Sequence, residues 1–330
     1  MRTGKLAEPV WKRSVYRQLN MDITGTRGHY GADCISLNCT DKQEVQYMTV
    51  SVGPLPGYED HPVMQVTEAV NRIAVCDASP TAMQIQALLP ETMEEPQFQQ
   101  YMKAFAAAAK RYQMDVQDVC VSVSQAVAAP QFFVICTGVR TAGLQNGFQE
   151  ILRPGQELVM TKWIALAGTS ALASKYQKEL YGRYPFTLID RAREFEKLIC
   201  VAEEARAISH FGSCAAHHLG EGGIFTALWE MSDRAGVGLE VDLKKIPVKQ
   251  ETVEITEYFD INPYYLYSAG SLLIGTEHAE ALIAELAAKG IQAAVIGRVT
   301  DGKERVILNG EDRRYLDRPQ QEEWYRKLQK

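Results

Sequence analysis

The feature that most constrains the fold of this chain is a pair of glycine-rich junctions between residues 215 and 276. The first, Gly220-Glu221-Gly222-Gly223, stands directly before an apolar run, and the second, Ser268-Ala269-Gly270-Ser271, follows about 45 residues later. Glycine has no Cβ, so the backbone can approach a ligand or another strand closely at such positions. The segment therefore predicts element junctions at which a close approach is needed.

The apolar run after the first junction has the spacing of one helical face, with Gly236 and Gly238 at its exit. Its members are Ile224, Phe225, Ala227, Leu228 and Met231. Gly222 and Gly223 then lie at a helix N-terminus, where free amides and the helix dipole favour an anion such as phosphate. A plain turn is the alternative, because short glycine motifs are common without function.

The same segment carries a longer pattern of residues. It comprises His217, Glu221, Gly222, Gly223, Trp229, Glu230, Met231, Glu240, Asp242, Ile261, Asn262, Pro263, Ser268, Gly270 and Ile274. This pattern resembles the C-terminal domain of the aminoimidazole ribonucleotide (AIR) synthetase superfamily, and within it the hydrogenase maturation factor branch. The resemblance continues more faintly over the N-terminal half.

The resemblance implies a two-domain α/β (α+β) fold, with residues 1–152 as an N-terminal domain and 153–330 as a C-terminal α+β sandwich. In the superfamily the N-terminal sheets of two subunits close into a barrel, so a homodimer is implied. ATP lies in a cleft between the domains, and carboxylates of the N-terminal half hold magnesium. Magnesium requires hard oxygen ligands, so these carboxylates decide whether the chemistry takes place.

The N-terminal half departs from the family pattern at most of these acids. Gly31-Ala32-Asp33 retains one acid of a Gly-(Asp/Glu)-Asp run, and Gly53–Gly57 lacks the aspartate of an Asp-Pro-Ile-Thr-Gly motif. Asn71-Arg72 has a cation where relatives have an Asn-Asp pair, and Val121–Gln125 replaces a Gly-Gly-(Asp/His)-Thr-Glu motif. Like charges at about 4 Å cost several kcal/mol near a protein surface, so Arg72 would repel a nearby metal.

The resemblance assigns site roles to eight residues. Asp33 is predicted as the metal ligand and, with Glu221, as a catalytic residue; the predicted cofactor-binding residues are Asn71, Arg72, Lys162, His217, Gly222 and Gly223. Arg72 could instead contact phosphate directly, as guanidinium does well. Lys162 and the Gly168-Thr169 turn could bind an anion together, or Lys162 could be an exposed strand-end residue.

Other acids could substitute for the lost magnesium ligands, although most Asp and Glu side chains are solvated. The candidates are Asp41, Glu44, Glu59, Asp60, Glu68 and Asp77. The loop Gly25–His29 stands where relatives have a glycine-rich segment.

Two hypotheses of function follow. In the first, the ATP site is degenerate and the dimer binds a small molecule or a protein partner. In the second, the protein is an ATP-dependent enzyme that phosphorylates an amide or carbonyl oxygen. The maturation dehydratases end in a cysteine that carries the carbamoyl group, whereas this chain ends in Lys327–Lys330, so their reaction is not expected here.

Four residues close together in the sequence could instead form a zinc site. His210, Cys214, His217 and His218 offer nitrogen and thiolate ligands within nine residues. Their spacing is not a usual structural zinc pattern, and His217 already matches a family position.

Composition limits the protein classes. A net charge of −6 argues against a nucleic-acid surface. The absence of a long apolar run and of a signal-peptide pattern predicts a cytoplasmic protein without membrane association. Seven scattered cysteines do not indicate a disulfide framework.

The hydrophobic periodicity predicts alternating strands and helices. Strands are expected at 45–53, 80–89, 116–123, 132–139, 157–164 and 292–298. Helices are expected at 63–77, 96–112, 168–177, 190–210, 224–235 and 277–289, the last capped by Thr276. The charged tail after Arg313 is expected to run over the surface.

Overall fold

A computed structural model describes residues 7–16, 33, 35–37, 45–141, 151–211 and 214–328 of the chain. It divides into two compact units, Ala32–Gln145 and a second formed by Met1–Gly31 with Asn146–Lys330. Each unit contains one β-sheet flanked by helices, so the class is mixed α/β, as predicted. The domain boundary near residue 152 stays a prediction.

The unit Ala32–Gln145 is built on a five-stranded sheet of order β1-β2-β5-β3-β4. Its elements are β1 (Ile35–Leu37), β2 (Val45–Val52), α2 (Pro62–Ala74), β3 (Ser79–Leu89), α3 (Glu95–Arg111), β4 (Asp115–Val123) and β5 (Gln131–Thr141). Strands β3 and β4 are parallel, and the other pairs are antiparallel. Every element predicted here from periodicity is present, with ends shifted by at most three residues.

Two helices cover one face of this sheet. Pro62 starts α2 at a position where its missing N–H costs nothing, and Glu94 with Gln97 forms a reciprocal capping box at the start of α3. Their buried sides meet the sheet around Ile73, Phe105 and Phe132. The core of this unit therefore lies between α2, α3 and the inner face of β3 and β5.

The edge strand β4 and parts of the opposite sheet face are exposed. All nine residues of β4 are exposed, and Tyr47 and Phe133 are each 39% exposed. Long apolar strands that are left open are templates for pairing with another chain. This surface is therefore suited to association.

The unit that contains Asn146–Lys330 is built on a seven-stranded sheet of order β12-β11-β8-β10-β6-β9-β7. The strands are β6 (Glu157–Thr161), β7 (Ala215–His218), β8 (Gly238–Asp242), β9 (Leu272–Thr276), β10 (Ala293–Thr300), β11 (Arg305–Asn309) and β12 (Asp312–Tyr315). The helices are α1 (Glu8–Trp11), α4 (Leu166–Lys175), α5 (Gln177–Tyr181), α6 (Phe186–Arg193), α7 (Ala202–Phe211), α8 (Gly223–Ala235), α9 (Gln250–Tyr258), α10 (Ala279–Ala288) and α11 (Glu323–Leu328).

Three sequence expectations in this unit are wrong. The predicted helix 190–210 is interrupted between α6 and α7 by a 3-10 turn, Glu194–Leu198. The predicted strand 157–164 stops at Thr161, because Lys162 has a φ of 50° that no regular strand accommodates. Helix α10 has His278 rather than Thr276 as its N-cap, and the Thr276 hydroxyl accepts a hydrogen bond from the His278 amide.

The C-terminal tail is also partly buried, contrary to expectation. Its apolar side chains Leu316 and Trp324 are 6% and 1% exposed, and Glu322 is 2% exposed. The high charge of this segment predicted an exposed tail, although two apolar residues, Leu316 and Trp324, stand eight positions apart within it. We call residues Leu316–Leu328 the C-terminal strap.

No helix in the described ranges is long and apolar enough to cross a membrane. Cys76 is disulfide-bonded, whereas Cys120, Cys136, Cys200 and Cys214 are free thiols.

Candidate functional site

The junction before α8 has the backbone conformation that its glycines predict. Gly222 and Gly223 have φ values of 83° and 65°, which favour glycine. A Cβ on Gly223 would lie 2.4 Å from the Tyr264 carbonyl oxygen and 2.9 Å from that of Leu266. Glycine is therefore required here both by conformation and by the close approach of a neighbouring loop, which is the kind of junction expected from the sequence.

The group bound at this helix start is a carboxyl of the protein itself. The Gly222 amide donates to Oε2 of Glu322 at 2.5 Å, and the Tyr267 amide donates to Oε1 at 2.8 Å. A longer bond of 3.4 Å runs to Oε1 from the amide of Trp324. We call the Gly222 and Tyr267 amides the α8 cradle.

Glu322 titrates far from an ordinary glutamate. Burial raises the pKa of its carboxyl to about 8, and nearby Glu221 also raises the pKa, against the lowering by the three amides. Glu221 itself is half-buried in the turn before α8. The predicted catalytic carboxylate thus lies beside a second carboxyl that sequence reasoning did not find.

The C-terminal strap is fastened to this unit on both sides of Glu322. The Asn262 amide donates to Glu323 at 3.0 Å, and Arg326 pairs with Glu323 at 2.9 Å and also donates to the Asp260 carbonyl. Lys175 lies 5.0 Å from the ring centre of Trp324. The buried tryptophan in a charged tail was the signal that could have predicted this docking.

His217 lies on β7 and faces a carboxylate of α8. Its Nε2 is 3.4 Å from Oε2 of Glu230, and both side chains are about nine-tenths buried. The family pattern that named His217 and Glu230 therefore brings two titratable groups together within this unit. Such a buried pair can hold or exchange a proton, which is the chemistry of general acid and base groups.

The zinc reading finds no support in the described residues. Cys214, His217 and His218 do not form a metal-holding group there, and the His210 side chain lies outside the described part. Burial raises the pKa of the Cys214 thiol, although its hydrogen bond to Thr276 lowers it. Cys214 is therefore a buried thiol rather than a thiolate ligand.

Lys162 is buried, not exposed at a strand end. Its Nζ lies 2.5 Å from Oε1 of Glu204 and donates to the carbonyl oxygens of Leu198 and Cys200 at 2.7 and 3.1 Å. An ammonium group has three donors, so these three acceptors use its full capacity. The nearby Thr169 hydroxyl bonds Thr252 in the core at 3.0 Å.

The remaining predicted residues lie in the unit Ala32–Gln145. Arg72, near the end of α2, donates from Nε to the backbone carbonyl of Asp33 at 2.8 Å and from Nη1 to that of Ser51 at 3.4 Å. Asn71 is fully buried on the same helix. The Arg72 guanidinium thus lies against the backbone of Asp33, and the site roles assigned to these two residues stay predictions.

The proposed substitute acids are dispersed. Glu59 accepts from the Gly57 amide at 3.2 Å, Asp60 bonds the Tyr101 hydroxyl, and Glu68 is buried on α2. Asp41, Glu44 and the Gly25–His29 loop lie outside the described residues.

Comparison with known proteins supports the resemblance. Residues 153–309 match the family model described as AIR synthase related protein, C-terminal domain. The chain is 25% identical to the carbamoyl dehydratase HypE of Rhodobacter capsulatus over 71% of this chain and 68% of that protein. It is 23% identical to a putative hydrogenase expression/formation protein of Methanocaldococcus jannaschii, over 96% of this chain and 94% of the relative.

Solved structures share the fold. A HypE–HypF complex contains a chain that matches with a TM-score of 0.72 and 19% identity, over 94% of this chain and 99% of that one. HypE in complex with ATP matches with a TM-score of 0.64 and 17% identity, over 98% of both chains. Residues 153–309 therefore carry an AIR synthase related C-terminal domain, and the chain as a whole is similar in sequence and in fold to hydrogenase maturation proteins.

Proposed function

We propose that this protein is a cytoplasmic homodimer that binds a small molecule or a protein partner and that its ancestral ATP site is degenerate. The observation that carries the proposal is the contact between Arg72 and Asp33. The one acid retained from the family's metal set has a guanidinium bonded to its own backbone carbonyl at 2.8 Å. A fixed cation at this distance opposes binding of a second cation.

The residues of this unit do not fit the magnesium set of the family. Ala32, Gly53 and Arg72 stand at positions where relatives have acids, and magnesium binds through oxygen ligands with near-octahedral geometry. No magnesium-dependent step is therefore assigned to this chain.

The exposed surface of the unit Ala32–Gln145 supports association with a second copy. Val119, Val121 and Val123 on the open edge strand β4 are 39%, 41% and 64% exposed. Pairing two such edges would satisfy their backbone groups and cover these side chains. The HypE–HypF complex among the structural relatives supports a protein partner as a further occupant of the dimer surface.

Calorimetric titration with a non-hydrolysable ATP analogue, with and without magnesium, tests the degenerate site. We expect no magnesium-dependent binding by the wild-type protein. The matched variants are Asp33→Asn and Asp301→Asn, the second removing one exposed acid from the other unit. Magnesium-dependent binding that Asp33→Asn removes and Asp301→Asn retains would overturn the proposal.

That contrary result would favour the second candidate, an ATP-dependent enzyme that phosphorylates an amide or carbonyl oxygen. The observation in its favour is that structural relatives include HypE in complex with ATP. The α8 cradle and Glu221 would then act on the substrate through positioning and charge neutralisation.

Sedimentation velocity tests the dimer. The double variant Val119→Glu with Val121→Glu is expected to be monomeric, because it places charge on the open edge. Val253→Glu, at a 41% exposed position on α9, is the control and is expected to remain dimeric. A monomeric wild-type protein, or a double variant that stays dimeric, contradicts this part of the proposal.

A further inference from the structure

The carboxyl of Glu322 fills the α8 cradle through hydrogen bonds from backbone amides. Among the described residues no Lys, Arg or His forms an ion pair with it, and its bonds are to backbone amides alone. A carboxylate buried in this way normally needs a paired charge. Its position is therefore one in which the neutral and ionised forms differ strongly in stability.

The surrounding charges do not favour ionisation. The charge of Glu221, on the turn before α8, repels a second negative charge at Glu322. Arg326 on the strap is engaged by Glu323 at 2.9 Å, and Lys175 on α4 contacts the face of Trp324. From the loop before β9, Tyr264 and Tyr265 contribute phenols, and Arg314 lies over the Phe225 ring at 5.6 Å.

The strap is also incompletely satisfied. The indole Nε1 of Trp324 is buried and has no hydrogen-bond partner in the described part of the chain. An unsatisfied buried donor lowers the net free energy gained on docking. A segment held in this way can leave its site at a smaller cost than a fully bonded one.

We propose that the α8 cradle is a carboxyl-binding site that the chain fills with its own Glu322, so that the C-terminal strap is a removable internal ligand, and that the charge of this carboxyl sets how firmly the strap is held. The ligand class of the open site is a carboxyl group, since two converging amides match its two oxygens. This inference does not depend on the proposed loss of ATP binding.

The direction of the pH effect follows from the raised pKa. A free glutamate ionises near 4.3, whereas Glu322 in the docked strap ionises near pH 8. Between these values the docked state holds a proton that the released state has lost. Docking is therefore firmest at low pH, weakens as pH rises from about 4.3 to about 8, and levels off above that pH.

Hydrogen exchange of the full chain measures this opening. After correction for intrinsic rates, peptides of the strap and of residues 219–226 should lose at least about tenfold in protection between about pH 6.5 and pH 9. Glu322→Gln should remove this pH slope, and Asp317→Asn, an exposed acid of the same strap, should keep it. Equal slopes in wild type and Glu322→Gln would overturn the proposal.

Chemical rescue tests the site without relying on pH. Glu322→Ala deletes a fragment with the shape of acetate, so about 0.2 M acetate should raise its melting temperature more than chloride at equal ionic strength. Wild type should respond equally to both salts. An identical response of Glu322→Ala to the two salts would show that the cradle does not bind carboxyl groups. If this variant does not fold, the slope of Glu322→Gln decides the question.

Discussion

The start of α8 and the end of α2 differ in how an anion or metal site is maintained. At α8 the donors are backbone amides, fixed by two glycines at positive φ, and a carboxyl group is bound there. At α2 the metal site that the family resemblance implies depends on acidic side chains, and Arg72 stands at one of those positions. Backbone donors survive side-chain substitution as long as the turn survives, whereas a carboxylate set is lost by single substitutions.

The largest loss of stability is expected from substitution of Lys162. This substitution tests whether the residue has a structural role or a ligand-binding role in the unit that contains α8. Lys162→Met leaves Glu204 buried without its cation, and breaking a buried pair from one side costs about 3–5 kcal/mol. Urea unfolding of this variant should show a loss of that size. Lys289→Met, which removes a surface pair with Glu285 at 3.1 Å, is the control and should change little. A small loss of stability in Lys162→Met would contradict the structural role and favour the predicted anion-binding role.

The next effect tests the backbone of the cradle itself. Gly223→Ala forces a Cβ into the Tyr264 and Leu266 carbonyls and should cost about 2–4 kcal/mol through strain and overpacking. Gly236→Ala has a similar φ of 68° but no atom within 4 Å of its Cβ. In thermal melting, Gly236→Ala should therefore be destabilised by only about 1 kcal/mol. Equal losses would mean that the close approach at Gly223 contributes nothing.

A smaller effect is expected around α2. Arg72→Ala removes two hydrogen bonds to backbone carbonyls and should cost about 1 kcal/mol in chemical unfolding. If Arg72 instead contacts a bound phosphate, the same variant loses affinity for inorganic phosphate in a calorimetric titration. A loss of stability alone would keep the contrast between an occupied anion site at α8 and a lost site at α2. A loss of phosphate affinity would contradict it, because α2 would then also bind an anion.

Sequence periodicity predicted the strands and helices of the unit Ala32–Gln145 well, because these elements have clear apolar faces. Glycine chemistry likewise predicted the junction at Gly222 and Gly223, since the positive φ there has few alternatives. The interruption of the predicted helix 190–210 was not foreseen, because the 3-10 turn has an apolar spacing similar to that of the helices on either side.

The occupant of the cradle could not be predicted, because it is a contact between residues 100 positions apart. Nothing local in the strap sequence distinguishes Glu322 from its neighbours Gln321 and Glu323. Likewise, Lys162 gives no sequence signal of the carbonyls and the carboxylate that surround it, as these come from separate elements. Periodicity reports which side of an element is buried and not what a polar side chain meets there.

The central claim is that a neutral, buried Glu322 carboxyl occupies the backbone cradle, and melting as a function of pH tests it most directly. The pKa of this carboxyl is about 8 in the folded protein, so wild type should lose stability relative to Glu322→Gln as pH rises from about 5 to about 8. The difference between the two curves should then level off above that pH. Parallel curves over the whole range would contradict the account, because Glu322 would then ionise like an ordinary exposed glutamate.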